Sequence, residues 1–383
     1  MRHENTVFHQ LTNHFPWDVF DASVARHGGD KRVRRCRMKD QCLALLYGQF
    51  SGVGSLRAMV EGLSSQSSRL YHSGGRTLAR STLSDANRRR PSVVYEDVFT
   101  HMTHQACRRQ RRSLGPALRL IDATKVKVSG TGTEWARFTQ THKAVKLHVV
   151  FDPVLDAPVR AETTTDTVND ITPAKAFPID SGATYVFDLA YYSYDWWAKL
   201  HKANCRFVTR FKSNTRLCET RSHTQTNTGE AILSDTIGYL PQRMARSRKN
   251  PFSWPMREVV IKREDGRSIR LATNDLDSPA EEIAHLYKQR WQIELLFRWI
   301  KQNLGITKLI GRNANAVRTQ MFIALIAYLI LRTAYRAQSA VKRPVAFARL
   351  IRQMLFMRRP ILDFTRPPEK PNCDINADQF SLI

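Results

Sequence analysis

The sequence predicts an α/β protein: a mixed sheet flanked by helices, interrupted by a β-rich insertion and preceded by a helical N-terminal domain. Three observations carry this. Up to about residue 112 apolar residues recur at helical spacing, and from residue 117 they alternate and are rich in β-branched side chains. Three neighbouring strand candidates are then followed by a strand–helix–strand unit, which calls for a mixed sheet. Helical periodicity returns after a polar, Arg-rich stretch at 214–275.

Taken in order, residues 39–50 read as a helix stopped by the turn signal Ser51-Gly52-Val53-Gly54, and residues 55–63 resume the helical pattern. The Ser/Gly-rich stretch 64–75 reads as a loop, 81–90 as a short capped helix ended by Pro91, and 93–112 as a helix with a basic end, CRRQRR. With KRVRRCR at 31–37, this region is compatible with helix-turn-helix DNA binding, and equally with a helical bundle that has a solvated basic face. Strands are expected at 117–128, 144–151, 158–165, 183–188 and 205–211, with a helix at 191–203 between the last two. The insertion ends in a hairpin, REVVIKR and RSIRLATN around Glu264-Asp265-Gly266. Ser278, Pro279 and Glu281 form a capping-box pattern that opens a long helix ending near Gly305. The apolar run at 321–331 is shorter than the ~20 residues a spanning helix needs, so it reads as a core helix and no membrane partner is expected. After about residue 358 the chain is Pro-rich and reads as irregular.

Composition narrows the function. The 383 residues suggest two or three domains, and 42% hydrophobic content is enough for a sizeable core. Sixty Lys and Arg against 34 Asp and Glu give a net charge of +26, with a pI near 10.3. That surplus argues against an ordinary enzyme of neutral metabolites and for a polyanionic partner, nucleic acid before membrane. The six cysteines form no CxxC pair, so no zinc ribbon is expected, and they fit free thiols in a reducing cytosol. The N-terminus has no apolar signal core.

The chemistry concentrates on the long helix. Tyr287, Arg290, Glu294 and Lys301 stand at offsets of 3, 7 and 14 from the first, within an arc of about 60° on one face. The helix is apolar around most of its girth, so these groups need partners: a structural ion-pair network, or a metal. Asp122 lies inside an apolar strand, and Asp188 ends another. If those strands are neighbours, the two carboxylates converge at one sheet edge, and Glu294 can close the set. Three carboxylates at one point repel each other, and divalent cations relieve the repulsion. Two Mg²⁺ ions on carboxylate oxygens suit in-line displacement at a phosphodiester.

The string YKQRWQIELLFRWIK has the pattern Y-x2-R-x3-E-x6-K and resembles the signature of DDE transposases of bacterial insertion sequences, the IS-four family. LIDATKVKV resembles that family's first-Asp strand, AVKLHVVFDP with TTTDTVND its next two segments, and VFDLAYYSYDWWAKLHKANCRFVTRFKSN its second-Asp segment. The resemblance covers about residues 1–340. It implies an RNase H-like core interrupted by a β-rich insertion, with Asp122, Asp188 and Glu294 as catalytic and metal-binding residues. Tyr287, Arg290 and Lys301 are implied as contacts to DNA phosphates. It further implies two Mg²⁺ ions with Mn²⁺ as a substitute, double-stranded DNA partners (transposon ends and target), and a homodimer on DNA. The location implied is the bacterial cytoplasm, at the nucleoid. The activity implied is binding of terminal inverted repeats, metal-dependent cleavage and strand transfer. The corresponding division is a DNA-binding helical domain at 1–112, catalytic core at 113–213 and 276–345, insertion at 214–275 and tail at 346–383. Leu189-Ala190 follow Asp188 where the family usually has Arg-Gly or a similar pair. That departure leaves two alternatives open, a catalytically decayed DNA-binding descendant and an RNase H-like nuclease without strand transfer.

Other groups have plainer expectations. Asp152, Asp166, Asp170 and Asp195 read as solvated or capping carboxylates. Trp254 reads as local packing more than as a base-stacking platform, and Trp196 and Trp197 as core. His148 reads as a packed strand residue, while Lys143 and Lys146 read as DNA contacts or solvated cations. His142 also lies near the second strand.

Overall fold

The computed structural model describes residues 5–110, 116–128, 133–136, 143–223, 232–243, 249–262 and 266–364. The N-terminal part is helical: α1 (Val7–Thr12), α2 (Trp17–Arg26), α3 (Met38–Ser51), α4 (Leu56–Ser65), α5 (Ser67–Leu70), α6 (Arg80–Arg89) and α7 (Val93–Gln110). α3 is buried along almost its whole length and ends on Gly52, whose φ of 72° is the left-handed cap that glycine adopts without penalty. The stretch 64–75, expected as loop, holds the end of α4, all of α5 and a 3-10 turn at Tyr71–Ser73. Its Ser and Gly content hid the Leu63 and Leu70 side chains that seal it against the core. The basic end of α7 at 111–112 lies outside the described residues.

The sheet follows as β1 (Leu118–Lys127), β2 (Ala144–Asp152) and β3 (Ala157–Thr165). After these come α8 (Ile171–Ala176), β4 (Thr184–Val186), α9 (Tyr194–Lys202) and β5 (Arg206–Arg210). β1, β2 and β3 form an antiparallel meander. β4 joins β1 in parallel and β5 joins β4 in parallel, with α9 as the crossover. β2 is buried on both faces, as its nearly unbroken apolar run requires. Trp196 and Trp197 are fully buried, in ring contact with Phe187 and Phe207.

The Arg-rich stretch contributes β6 (Cys218–Ser222), β7 (Ile232–Tyr239), β8 (Pro255–Lys262) and β9 (Ser268–Thr273). These strands do not stand apart. β9 pairs with β5 through Val208↔Thr273, so all nine strands make one sheet in the order β3-β2-β1-β4-β5-β9-β8-β7-β6. The pairing covers an edge of β5 that would otherwise present unpaired backbone groups. The expected β8–β9 hairpin is present, although its turn at 263–265 lies outside the described residues.

Four helices complete the chain: α10 (Ala280–Gln289), α11 (Trp291–Asn303), α12 (Ala314–Arg336) and α13 (Pro344–Met354). The single long helix expected here is divided at Arg290. The expected capping box is absent, because Pro279 holds the cap position without a side-chain bond. Ser278 instead accepts a hydrogen bond from Arg206 at 3.1 Å, and its backbone N–H donates to Asp275 at 3.0 Å. α13 runs across residue 346 and ends just before the irregular stretch. α12 is long and apolar enough to cross a membrane by length and composition, but it is mostly buried inside the protein. α3, α6, α7 and β3 pack around it, so the N-terminal helices and the sheet share its core.

Candidate active site

The β1–β4 register sets the site. Leu118 pairs with Thr184 and Leu120 with Val186. Asp122 lies two residues beyond Leu120 and Asp188 two beyond Val186, so the carboxylates stand abreast where β4 ends. Asp188 caps a 3-10 turn, Leu189–Tyr191, and accepts the Ala190 N–H at 2.9 Å. Asp122 accepts the Ala123 N–H at 2.8 Å.

α11 lies against β1 and brings the third carboxylate. Arg290 Nη2 is 2.7 Å from Glu294 Oε1, and Arg290 Nη1 is 3.9 Å from Asp122 Oδ2. One guanidinium therefore links the helix carboxylate to the strand carboxylate. Burial pushes the Asp122 carboxyl up to about 6; the Ala123 N–H and Arg290 oppose the rise, and the charges of Asp188 and Glu294 add to it. Tyr287 places its ring 5.8 Å from the Arg290 guanidinium, and burial raises its phenol. Lys301, two turns beyond Glu294, is half-buried, and burial lowers its ammonium. Three of the four helix residues are thus in contact, and the fourth extends the same face.

Among the described residues, no three His, Cys, Asp or Glu side chains are gathered closely enough to hold a metal ion as they stand. Asp122 and Asp188 each accept a backbone N–H, and Glu294 pairs with Arg290.

The rival carboxylates are tied into other networks. Asp152 takes the capping alternative and not the solvated one: it is buried, pairs with Arg119, and caps the following turn by accepting the N–H groups of Val154 and Leu155. Asp166 is also buried, paired with Lys125 at 2.9 Å. Asp170 pairs with Lys146 at 2.9 Å, which makes Lys146 a buried structural cation where a solvated or DNA-facing one was expected. Asp195 pairs with Lys175. Lys143 bonds Thr133 and Glu134. His148 is buried, bonds Thr164, and is held at about 4 by burial, as a packed strand histidine should be. Trp254 packs on His201 at 4.7 Å and on Phe252. His142 and Cys373 lie outside the described residues; Cys218 is exposed, and Cys36, Cys42 and Cys205 are buried free thiols.

Two neighbours of the site escaped the sequence reading. Tyr191 is buried beside Asp122 and Asp188, and its hydroxyl has no hydrogen-bond partner among the described residues. Arg210, at the end of β5, bonds Tyr287. The only sequence signal for either was proximity to a strand end.

A mixed sheet with carboxylates at the ends of two parallel neighbours, faced by a helix carboxylate, defines an RNase H-like α/β protein. The chain matches the transposase DDE domain over residues 113–330, and residues 3–76 match a domain of unknown function (DUF4372). It is 40% identical over 307 residues to y4zB of Sinorhizobium fredii, named as a transposase, covering 79% of this chain and 86% of that one. It is 30% identical over 285 residues to a Geobacillus stearothermophilus protein named as the transposase for insertion sequence element IS5377, covering 73% and 74%. In fold it resembles the piggyBac transposase, solved as a synaptic complex with hairpin DNA, with a TM-score of 0.50 at 11% identity over 96% of this chain and 86% of that one. The chain belongs to the DDE transposase family. It is accordingly an enzyme that acts on DNA, in a family that uses divalent metal ions.

Proposed function

We propose that Asp122, Asp188 and Glu294 are the catalytic carboxylates of an insertion-sequence transposase of the IS-four type. The observation that carries this is the convergence of the three: two abreast on parallel strands, the third joined to the first through Arg290. The donor set suits hard divalent cations, because every group is a carboxylate; the Asp122 carboxyl is raised first by burial and further by the charges of Asp188 and Glu294, and a cation would offset both. Two Mg²⁺ ions, with Mn²⁺ as a substitute, supply activation of the attacking oxygen and charge neutralisation at phosphorus when bound.

The chain's own residues do the rest. Arg290 occupies the position a cation would take and is free to turn to a phosphate oxygen once the carboxylates are otherwise neutralised. Tyr287, from the end of α10, and Lys301, from α11, flank it and hold the phosphodiester in line. The substrates in this reading are double-stranded DNA, the element's terminal inverted repeats and the target. The reactions are hydrolysis at the ends followed by attack of the freed 3′-hydroxyls. Residues 1–112 bind DNA, 113–213 and 276–345 form the catalytic core around the insertion 214–275, and 346–383 is the tail. A homodimer holds the two ends together in the bacterial cytoplasm, at the nucleoid, with no membrane partner.

The test is cleavage of a duplex carrying the element's end and flank, with Mg²⁺, Mn²⁺ or chelator. Wild type is expected to cut at the boundary only with metal. Glu294→Ala is expected to lose at least about a thousandfold in rate while binding the end nearly as well. A Glu294→Ala protein that still cuts removes Glu294 from the mechanism. Wild type that binds tightly and never cuts supports the decayed reading.

A further inference from the structure

We propose that a basic groove between the α3–α4 turn, the end of β1 and the 304–313 segment holds the DNA backbone beside the reaction centre. Two adjoining cavities form it. One, of about 220 Å³, is lined by Lys127, Lys308 and Arg312. The other, of about 440 Å³, is lined by Arg57, Arg80 and Arg312. Leu309 and Arg312 line both. The cavities are also joined through Lys308: a Cβ at Gly54, in the second cavity, would stand 2.6 Å from Lys308 Cδ. The lysine stem therefore crosses the turn where that side chain is missing.

Five cations line this groove, and no carboxylate does. Arg57, Arg80, Lys127 and Lys308 are exposed and form no ion pair with a described carboxylate. That contrasts with Arg119, Arg206, Arg257, Arg290 and Arg318, all held by carboxylates. Converging cations without counter-ions repel each other, and a polyanion relieves that repulsion.

The groove is built in advance. Gln320, 1% exposed, donates to the Lys308 carbonyl at 3.0 Å and accepts the Ile310 N–H at 2.9 Å. Gln49, 3% exposed, accepts the Gly305 N–H at 2.9 Å, and Trp135 donates to the Arg312 carbonyl at 2.8 Å. Buried amides thus fix the segment that carries two of the cations.

Its position gives it a role. The segment continues directly from α11, which carries Glu294, and Lys127 ends the strand that carries Asp122. Five residues of strand span about 17 Å, the length of about five base pairs at 3.4 Å each. The ligand is the phosphodiester backbone, not the base edges. The lining is mostly long cationic and aliphatic side chains that converge from four chain segments with no carboxylate to orient them, as contacts to a line of phosphates require, and the two-duplex comparison below separates backbone from base reading. The groove rests on the transposase reading for its DNA, but not on the catalytic role of any carboxylate.

The test measures binding of the full chain to a terminal-repeat duplex and to an unrelated duplex over a salt series. The variant replaces Arg57, Arg80, Lys127 and Lys308 together by Ala. The log–log salt slope is expected to flatten by about 3 to 4, at ~0.9 per phosphate contact, by the same amount on both duplexes. Restoring charge with Arg57→Lys and Arg80→Lys alongside native Lys127 and Lys308 should return the slope. Lys199→Ala with Lys202→Ala, exposed cations on α9, should leave it unchanged. A quadruple variant with the wild-type slope overturns the proposal, as does a loss confined to the terminal-repeat duplex. Cleavage by Glu294→Ala is read separately. If wild type never cuts but shows a groove-dependent slope, the cleavage activity fails, as in the decayed reading, and the groove stands.

Discussion

Arg290 and Asp122 illustrate how one residue is held in two states. Asp122 lies in a strand where burial alone disfavours its charge, and Asp188 and Glu294 disfavour it further. Arg290 offsets part of this from 3.9 Å. A carboxyl raised in the folded protein stabilises the fold while protonated, and that stability is lost as pH rises through about 6. In chelator, wild type should therefore lose stability between about pH 4 and pH 7, by about 1–3 kcal/mol from this group. Asp122→Asn removes the charge at constant shape. It should be more stable than wild type at pH 8 by a similar amount and should lack that pH dependence, as read from urea midpoints. Mg²⁺ should raise the melting temperature of wild type and leave Asp122→Asn unmoved. An equal Mg²⁺ shift in both would exclude Asp122 as a ligand.

At the scale of elements, the strands of residues 214–275 are tied to the launch of the helix pair. Arg257, fully buried on β8, bonds both oxygens of Asp235 on β7, at 2.9 and 2.7 Å. Its other nitrogen donates to the Ser278 carbonyl at 2.5 Å, at the turn from which α10 starts. Arg206 on β5 reaches Asp275 and Glu282 across the same junction. These pairs fix where α10, and after it α11 with Glu294, leaves the sheet. Arg257→Ala strands the Asp235 charge in the interior and should cost about 3–5 kcal/mol. Its urea midpoint should fall accordingly, and cleavage should fall in the fraction that remains folded. A midpoint within 1 kcal/mol of wild type would show that the junction is held by other contacts.

At the scale of the whole molecule, α12 is the common core. Ile326 is fully buried, and the helix touches α3, α6 and α7 as well as β3. Ile326→Ala should cost about 2–5 kcal/mol, and it should do so in one transition seen equally by helix and sheet probes. Two separate transitions would mean that the N-terminal helices fold independently of the sheet. The net charge of +26 opposes self-association without DNA and favours it on DNA, where phosphates neutralise the surplus. Mass measurement should therefore give two chains and two end duplexes per complex, and one chain per duplex would exclude synapsis by a dimer.

The element order was readable because β-branched alternation and helical apolar spacing are local properties, and β1, β2, β3, β5, α3 and α9 fall within a few residues of where those patterns put them. Glu294 and Lys301 share a face of α11 because a helix turns a fixed angle per residue, whereas Tyr287 lies on α10 and meets Arg290 across a break that the apolar spacing did not reveal. Net charge fixed the partner class for a similar reason, since it needs only a count. Where neighbours come from distant chain segments, only the tertiary structure decides. The register that sets Asp122 beside Asp188 depends on which strands pair. The joining of β5 to β9 depends on a free sheet edge, and no pattern within 214–275 records it. Ser278 and Lys146 mislead for the same reason: each is claimed by a partner far away in sequence, Arg206 and Asp170. The groove of Arg57, Arg80, Lys127, Lys308 and Arg312 collects cations from four parts of the chain, and only folding brings them to one surface.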